Sequence, residues 1–288
     1  MLAIRIARHL LSIAAIVLLG AFLSAVLVRS APGFDTDEEQ LDPRLSAASV
    51  SALRESHRQE HGLFRFYLSY LGHSLRGDLG VSRSLGQPVR GLLRDRVPAT
   101  FRVVVTGLAL GWLLALALGL TAALARTTAY DHATLIASGI FLCLPAAALA
   151  LLSVLLNSPG YLGIALIVFP KVFRYMRNLL AKAYSLPHIC TARAKGLSEL
   201  RILGFHVLPV VAPELLALAG VSVSVAVGAA IPIETLCGIA GVGQLAWQAA
   251  IGRDLPLLVN ITVLVTLVTL SANLGADVIG HILRSEGA

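Results

Sequence analysis

Side chains able to do chemistry are thinly spread along this chain, and their spacing excludes the common catalytic designs. An enzyme working in a membrane needs a nucleophile with a base, paired carboxylates, or metal ligands at workable spacing. The eight histidines, His9, His57, His61, His73, His132, His188, His206 and His281, are scattered where loop or interfacial solvation accounts for most of them. The sequence has no HExxH, no GxSxG and no Cys/His cluster. Cys143, Cys190 and Cys237 stand in unrelated contexts, which suits small apolar fillers and excludes a CxxC zinc site or a disulfide scaffold. None of the three lysines, Lys171, Lys182 and Lys195, lies in GxxxxGK[ST], and the GVG from Gly241 to Gly243 is too short a signal for nucleotide binding. The expectation is a chain with no catalytic residue, no metal site and no cofactor of its own, and an intramembrane hydrolase has no motif in its favour.

Charge is concentrated in a defined pattern in one segment, TARAKGLSELRILGFHVLP, from Thr191 to Pro209. Ala, Arg and Lys favour a helix over about 189–195, Gly196 permits a turn, and Ser198 with Glu199 and Arg201 can open a second helix. A small-residue helix, a glycine break and another helix suit docking into a partner's groove, with Arg193 and Lys195 supplying charge complementarity. A basic loop touching lipid headgroups is the plainer reading.

The elements that must position this segment are membrane spans. The chain has 288 residues, 57% hydrophobic and 14% charged, far from soluble averages. A bilayer core of about 30 Å needs ~20 apolar helical residues. Six stretches qualify, at 9–28, 100–124, 132–156, 161–177, 209–232 and 256–280, the fourth being short. The first follows Arg5 and Arg8, is longer than a usual secretory h-region and reads as a retained anchor.

The net charge of +7 is a topology signal, and nucleic acid is not expected as a partner. Seven Lys/Arg against Glu199 alone lie from Lys171 to His206, which puts that loop in the cytoplasm; both termini then fall there too. Segment 29–99 is nearly balanced, with ten Arg and nine Asp/Glu, and belongs outside the cytoplasm. Its acidic cluster Asp35, Asp37, Glu38 and Glu39 reads as a solvated loop or a protein contact. The expected fold is therefore all-α, a polytopic bundle of six transmembrane helices. It divides into an anchor helix over 1–30, an extracytoplasmic loop region over 31–99 between helices 1 and 2, and a core over 100–283 with a cytoplasmic loop at 173–208.

Rows of small residues mark close helix packing: Gly107, Gly111, Ala115, Gly119 and Ala123 on the second span, Gly220, Ser224 and Gly228 on the fifth, and Ala272, Ala276 and Gly280 on the sixth. Trp112 and Trp247 read as interface anchors or packing, and Glu214 and Asp277 as solvated or salt-bridged.

Gly196 followed by Leu208 and Pro209 resembles the loop of ABC importer permeases, and TARAKGLSE is close to the version in dipeptide and oligopeptide permease subunits. Arg174 and Arg177 resemble that family's paired arginines. RGDLGVSRSLGQPVRGLLRDRVPATF, from Arg76 to Phe101, is similar to its approach to the second span, and IPIETLCGIAGVGQLAWQAAIGRDLPLL, from Ile231 to Leu258, to its segment between the last two spans. Pro187, His188 and Cys190 replace an acidic, an aromatic and a basic residue of the family pattern, and His206 an aliphatic one.

The resemblance implies a bacterial inner-membrane permease of an ATP-driven importer for di- or oligopeptides. It would pair with a second permease, identical or not, two cytosolic ATPase subunits that carry ATP and Mg, and an extracytoplasmic binding protein, all in the lipid bilayer. Thr191, Ala192, Arg193, Ala194, Lys195, Gly196, Leu197 and Glu199 would form the ATPase-coupling loop. Glu234 and Asp254 match family positions that could contact substrate or partner; the structural alternative has Glu234 capping N–H groups of a re-entrant turn and Asp254 pairing with Arg253. Two other functions stay open: import of nickel or another small solute, and a divergent permease fold serving as scaffold or accessory subunit of another membrane complex.

Overall fold

The computed structural model describes residues 77–125 and 127–286 and isolated positions between 15 and 26. The rest of the expected anchor and of the segment 31–99 before residue 77, with its acidic cluster, lies outside the described residues. Those described are mostly helical, with an isolated β-bridge from Val81 to Pro88 and no strand among them: α1 Val89–Ala125, α2 Thr128–Cys143, α3 Ala146–Leu155, α4 Gly160–Tyr184, α5 Pro187–Ala194, α6 Glu199–Ile202, α7 Leu208–Leu236, α8 Val242–Ile251 and α9 Leu255–Glu286. A π-helical turn, Leu203–Val207, joins α6 to α7.

Three helices, Val89–Leu124, Glu199–Leu236 and Leu255–Leu283, are long and apolar enough to cross a membrane, and they contain the expected second, fifth and sixth spans. The stretch 132–156 differs from expectation. It is not one helix but α2 and α3, bent by 96°. Pro145 is the reason: its ring disfavours helical backbone at the preceding residue, and Leu144 is extended at φ −79°, ψ 127°. At 1.5 Å per residue α2 rises about 24 Å and α3 about 15 Å, each short of a bilayer core, so this stretch is a broken span or a re-entrant pair rather than one straight helix.

The chain falls into two compact units. The larger comprises Val97–Gln244 and Val268–Ala288, the smaller the residues up to Arg96 with Leu245–Leu267. In the larger unit α4 is the hub. It packs most extensively on α7 and also on α2 and α3. Ile164, Val168, Phe173, Met176 and Leu180 of α4 are all buried. A helix with one face packed in protein does not need a long lipid-facing apolar run, which accounts for the short fourth stretch; Lys171 and Arg174 lie on its exposed side, and Arg177 is half-buried.

The small-residue row of α1 faces α4. A Cβ added at Gly107 would lie 2.7 Å from the Ile164 Cβ and 2.8 Å from the Tyr161 carbonyl oxygen, and one at Gly111 would lie 3.1 Å from the Ala165 carbonyl oxygen. The helices thus approach backbone to backbone. On α7, Gly220 meets Asn273 and Ala276 of α9 in the same way. Trp112 packs and also donates to Ser222 Oγ at 2.9 Å. Phe101, Leu113, Ile136, Ile140 and Leu155 point outward, a surface suited to lipid tails.

Candidate functional site

The basic loop folds as a helix, a glycine turn and a second helix. Pro187 opens α5, where its missing N–H costs nothing and its fixed φ is already helical. The helix closes with two bonds that reach back across its end: Gly196 N–H to the Arg193 carbonyl at 2.8 Å, and Leu197 N–H to the Ala192 carbonyl at 3.3 Å. This closure requires left-handed backbone at its turn, and Gly196 has φ +77°. Ser198 then precedes α6 without a side-chain cap.

The loop residues divide by environment. Ile189 and Ala192 are buried against the core, so Ala192 faces inward. Thr191, Ala194, Lys195 and Gly196 are exposed, and Leu197 and Glu199 are half-buried. Leu200 and Phe205 stand exposed beside them, at 69% and 77%. Arg193 ties the two helices together: its Nε donates to Glu199 Oε1 at 3.1 Å, and its guanidinium carbon lies 5.8 Å from the Tyr184 ring centre.

Arg177 is bound to Asp131 at the start of α2, Nε to Oδ1 at 2.6 Å and Nη2 to Oδ2. This paired-guanidinium geometry joins α4 to α2, and sequence reasoning had singled out the arginine without its partner. Arg177, Asp131, Tyr184 and Arg193 all line a cavity of about 510 Å3.

Glu234 and Asp254 are both fully buried. Glu234 Oε2 accepts the Gly243 N–H at 2.7 Å and the Gln244 N–H at 3.3 Å, while the Val242 N–H goes to Thr100 Oγ1 at 2.7 Å. The first three N–H groups of α8, which no helical carbonyl can reach, are thus satisfied by side chains, and the carboxylate faces the positive helix end. The GVG run is explained here: a Cβ at Gly241 would strike the Glu234 carboxylate, and one at Gly243 would lie 2.8 Å from Ile231 backbone.

Asp254 caps α9 and anchors the segment before α1. Its Oδ1 accepts the Leu257 N–H at 3.1 Å; its Oδ2 accepts the Ser84 N–H at 3.0 Å, the Ser84 hydroxyl at 2.8 Å and the Ser82 hydroxyl. Asn260 adds a bond from Nδ2 to the Leu79 carbonyl at 3.0 Å. The structure forms no Arg253–Asp254 ion pair among the described residues; Arg253 is instead a left-handed residue at φ +50°. Ser82, Ser84 and Asn260 were not singled out from the sequence, although Ser82 and Ser84 lie in the quoted run from Arg76 to Phe101. Glu214 forms no ion pair among the described residues and has its Oε2 buried without a hydrogen-bond partner.

Known proteins place this geometry in context. Residues 115–285 match the family model described as binding-protein-dependent transport system inner membrane component. The oligopeptide transport system permease protein AppB of Bacillus subtilis (strain 168) is 28% identical, with 95% of each chain covered. The oligopeptide transport system permease protein OppB of Haemophilus influenzae is 26% identical, covering 90% of this chain and 91% of that one. Among solved structures, an inward-facing MetNI methionine ABC transporter superposes with TM-score 0.60 at 20% identity, covering 67% of this chain and 97% of that one, a likeness of fold.

Proposed function

From the premise that the chain belongs to the family of binding-protein-dependent transport system inner membrane components, we propose how it couples and what it carries. It is a multi-pass inner-membrane permease component of an ABC importer, and ATP hydrolysis belongs to partner subunits. Its cargo is a di- or oligopeptide, a reading supported by the names of its relatives. It forms half of the translocation pathway beside a second permease, receives ligand from an extracytoplasmic binding protein, and docks two cytosolic ATPases that hold ATP and Mg. Six spans, with both termini and the loop 173–208 in the cytoplasm and the segment 31–99 outside, are the arrangement that suits the charge distribution.

The observation that carries the coupling role is mechanical. Helical structure runs unbroken from Glu199 to Leu236, 38 residues, so the second loop helix and the membrane span are one rod. The bond from Arg193 to Glu199 and the Gly196 turn fasten α5 to the end of that rod. An ATPase that grips the exposed face at Thr191, Lys195 and Leu200 and then moves would tilt the span directly. Glu234 and Asp254 serve in this reading as fixed anchors that keep α8 and α9 rigid, with Glu234 Oε2 and both Asp254 carboxylate oxygens turned to protein donors.

Purifying the tagged chain from its native membrane in mild detergent, with mass spectrometry of retained proteins, tests this reading. The expected result is a second permease and P-loop ATPases with the native chain. A Lys195→Glu, Leu200→Asp variant should lose the ATPases and keep the permease. Retention of the ATPases by the variant would remove the loop from coupling, and recovery of an unrelated membrane complex would favour a scaffold.

A further inference from the structure

The cavity beside Arg193 has a composition that neither the coupling role nor the packing of the bundle requires. Its volume is about 510 Å3, and it is bounded by the end of α1, the start of α2, the end of α4 and α5. Apolar lining comes from Gly119, Ala122, Ala123, Leu180 and Ala181; Thr127, Tyr184 and Ser185 are hydroxyl-bearing, and the Asp131 carboxylate is taken up by Arg177. Two arginines line it, and they are not equivalent. Arg177 is committed, with Nε and Nη2 on Asp131 and Nη1 at 3.4 Å from Asn178 Oδ1. Arg193 is committed through Nε alone, and its Nη1 and Nη2 make no hydrogen bond among the described residues.

Arg193 is thus held on one side by Glu199 and across the Tyr184 ring, leaving a planar fork of donors at a cavity wall. Such a fork, oriented before binding, matches two oxygens of a tetrahedral oxyanion. The apolar wall beside it excludes a site built for an ion alone. The stretch of chain that carries both arginines is basic, with Lys182 and Lys195 between and beside them in sequence, a charge pattern suited to a leaflet that holds anionic lipid.

We propose that this cavity binds a phosphate group carried on a small glycerol-like or lipid body, through the Nη fork of Arg193, with the Gly119 to Ala123 wall receiving the carbon part. The phosphate comes from an anionic phospholipid headgroup or from a soluble phosphate ester, and the chemistry at Arg193 is the same for both. Assignment to the cytoplasmic leaflet rests on the topology proposed above, whereas phosphate binding does not. Because Arg193 also joins α5 to α6, an occupied cavity would stiffen the loop.

Native mass spectrometry of the full chain in detergent tests the proposal, with titrations of phosphatidylglycerol and, separately, glycerol 3-phosphate. Arg193→Gln should weaken the bound species about tenfold or more, as expected for loss of a charge-assisted fork. Lys195→Gln removes the same charge next door, outside the cavity lining, and should change binding less than about twofold. Ala181→Phe fills the cavity with Arg193 intact and should also abolish binding, which guards against an Arg193 variant that merely misfolds. Binding of phosphatidylglycerol alone identifies the lipid source, and equal binding of glycerol 3-phosphate the soluble one. No retention of either, or equal loss with Arg193→Gln and Lys195→Gln, would overturn the site. ATPase co-purification is scored independently, so failure here leaves the coupling reading standing.

Discussion

Asp254 and Arg193 each stand at a break between two helices, and each is a charged residue that bridges its break. Asp254 is fully buried and accepts four bonds, from Ser82, Ser84 twice and Leu257, so every part of that turn is fixed by one carboxylate. Arg193 has a side chain 36% exposed, and among the described residues it makes one side-chain hydrogen bond, to a Glu199 about as exposed as itself. The first break is a joint without play. The second is held by one half-exposed ion pair and a glycine turn. The proposed coupling uses both: segments that hold their register while the bundle moves, and a surface loop that takes up force from a partner.

The contrast sets the order of expected effects on stability. Asp254→Ala is the largest: it removes a helix cap and leaves the Ser84 amide without its acceptor, at a cost of about 3 kcal/mol. Asp254→Asn, which keeps one acceptor oxygen, should recover part of that loss. Thermal unfolding of the purified protein in detergent reads both; an Asp254→Ala protein as stable as the native one would break the distinction between joint and loop. Gly243→Ala follows at about 2 kcal/mol, because its Cβ meets the backbone of Ile231, which cannot turn aside as a side chain can. The same unfolding measurement checks it, with Gly228→Ala, where nothing lies near the added carbon, as the comparison expected to lose nothing and to gain up to ~1 kcal/mol from the better helix former.

What the sequence disclosed follows from range of interaction. The loop is local: Gly196, the helix formers before it and Ser198 after it lie within a dozen residues, so its helix, turn and helix were readable. The all-α fold and three long spans were equally readable from apolar runs. Contacts across the chain were not. Nothing local links Asp254 to Ser82, 172 positions away, or Arg177 to Asp131, 46 positions away. A neighbouring arginine was the obvious partner for Asp254, and burial chose otherwise, since a serine pair and backbone donors fit a closed turn. The bend at Pro145 was legible in principle, but a continuous apolar run outweighed one proline. Ala192 shows the same limit: composition put it on the loop, and only packing shows that it faces inward.

Gly196→Val separates stability from coupling. No atom lies within 4 Å of the added Cβ, so the cost is that of a β-branched residue in left-handed backbone, about 1 to 2 kcal/mol. Insertion and pairing with the second permease should survive, while ATP-driven uptake into reconstituted vesicles should fall at least tenfold. Gly196→Asn, which tolerates φ near +77° better, should restore most of the uptake. Normal transport by Gly196→Val would show that the turn is not a working part of the lever, and the contrast between the two breaks would then lose its functional half.

The smallest effect tests the joint from the other side. Arg253 adjoins Asp254 in sequence but makes no ion pair with it, and it occupies left-handed backbone at φ +50°, where a side chain costs about 1 kcal/mol relative to glycine. Arg253→Gly should therefore leave stability unchanged or raise it by up to ~1 kcal/mol, since relief of the turn is offset in part by a more flexible unfolded chain. An arginine that held Asp254 by charge would give the opposite sign, a loss that grows at low ionic strength. Measuring the unfolding midpoint of Arg253→Gly at low and high salt distinguishes the two, because hydrogen bonds from Ser82, Ser84 and Leu257 inside a closed turn are screened little and a surface ion pair is screened strongly. Stability that rises, with no dependence on salt, assigns the rigidity of this break to the buried carboxylate and its neutral donors.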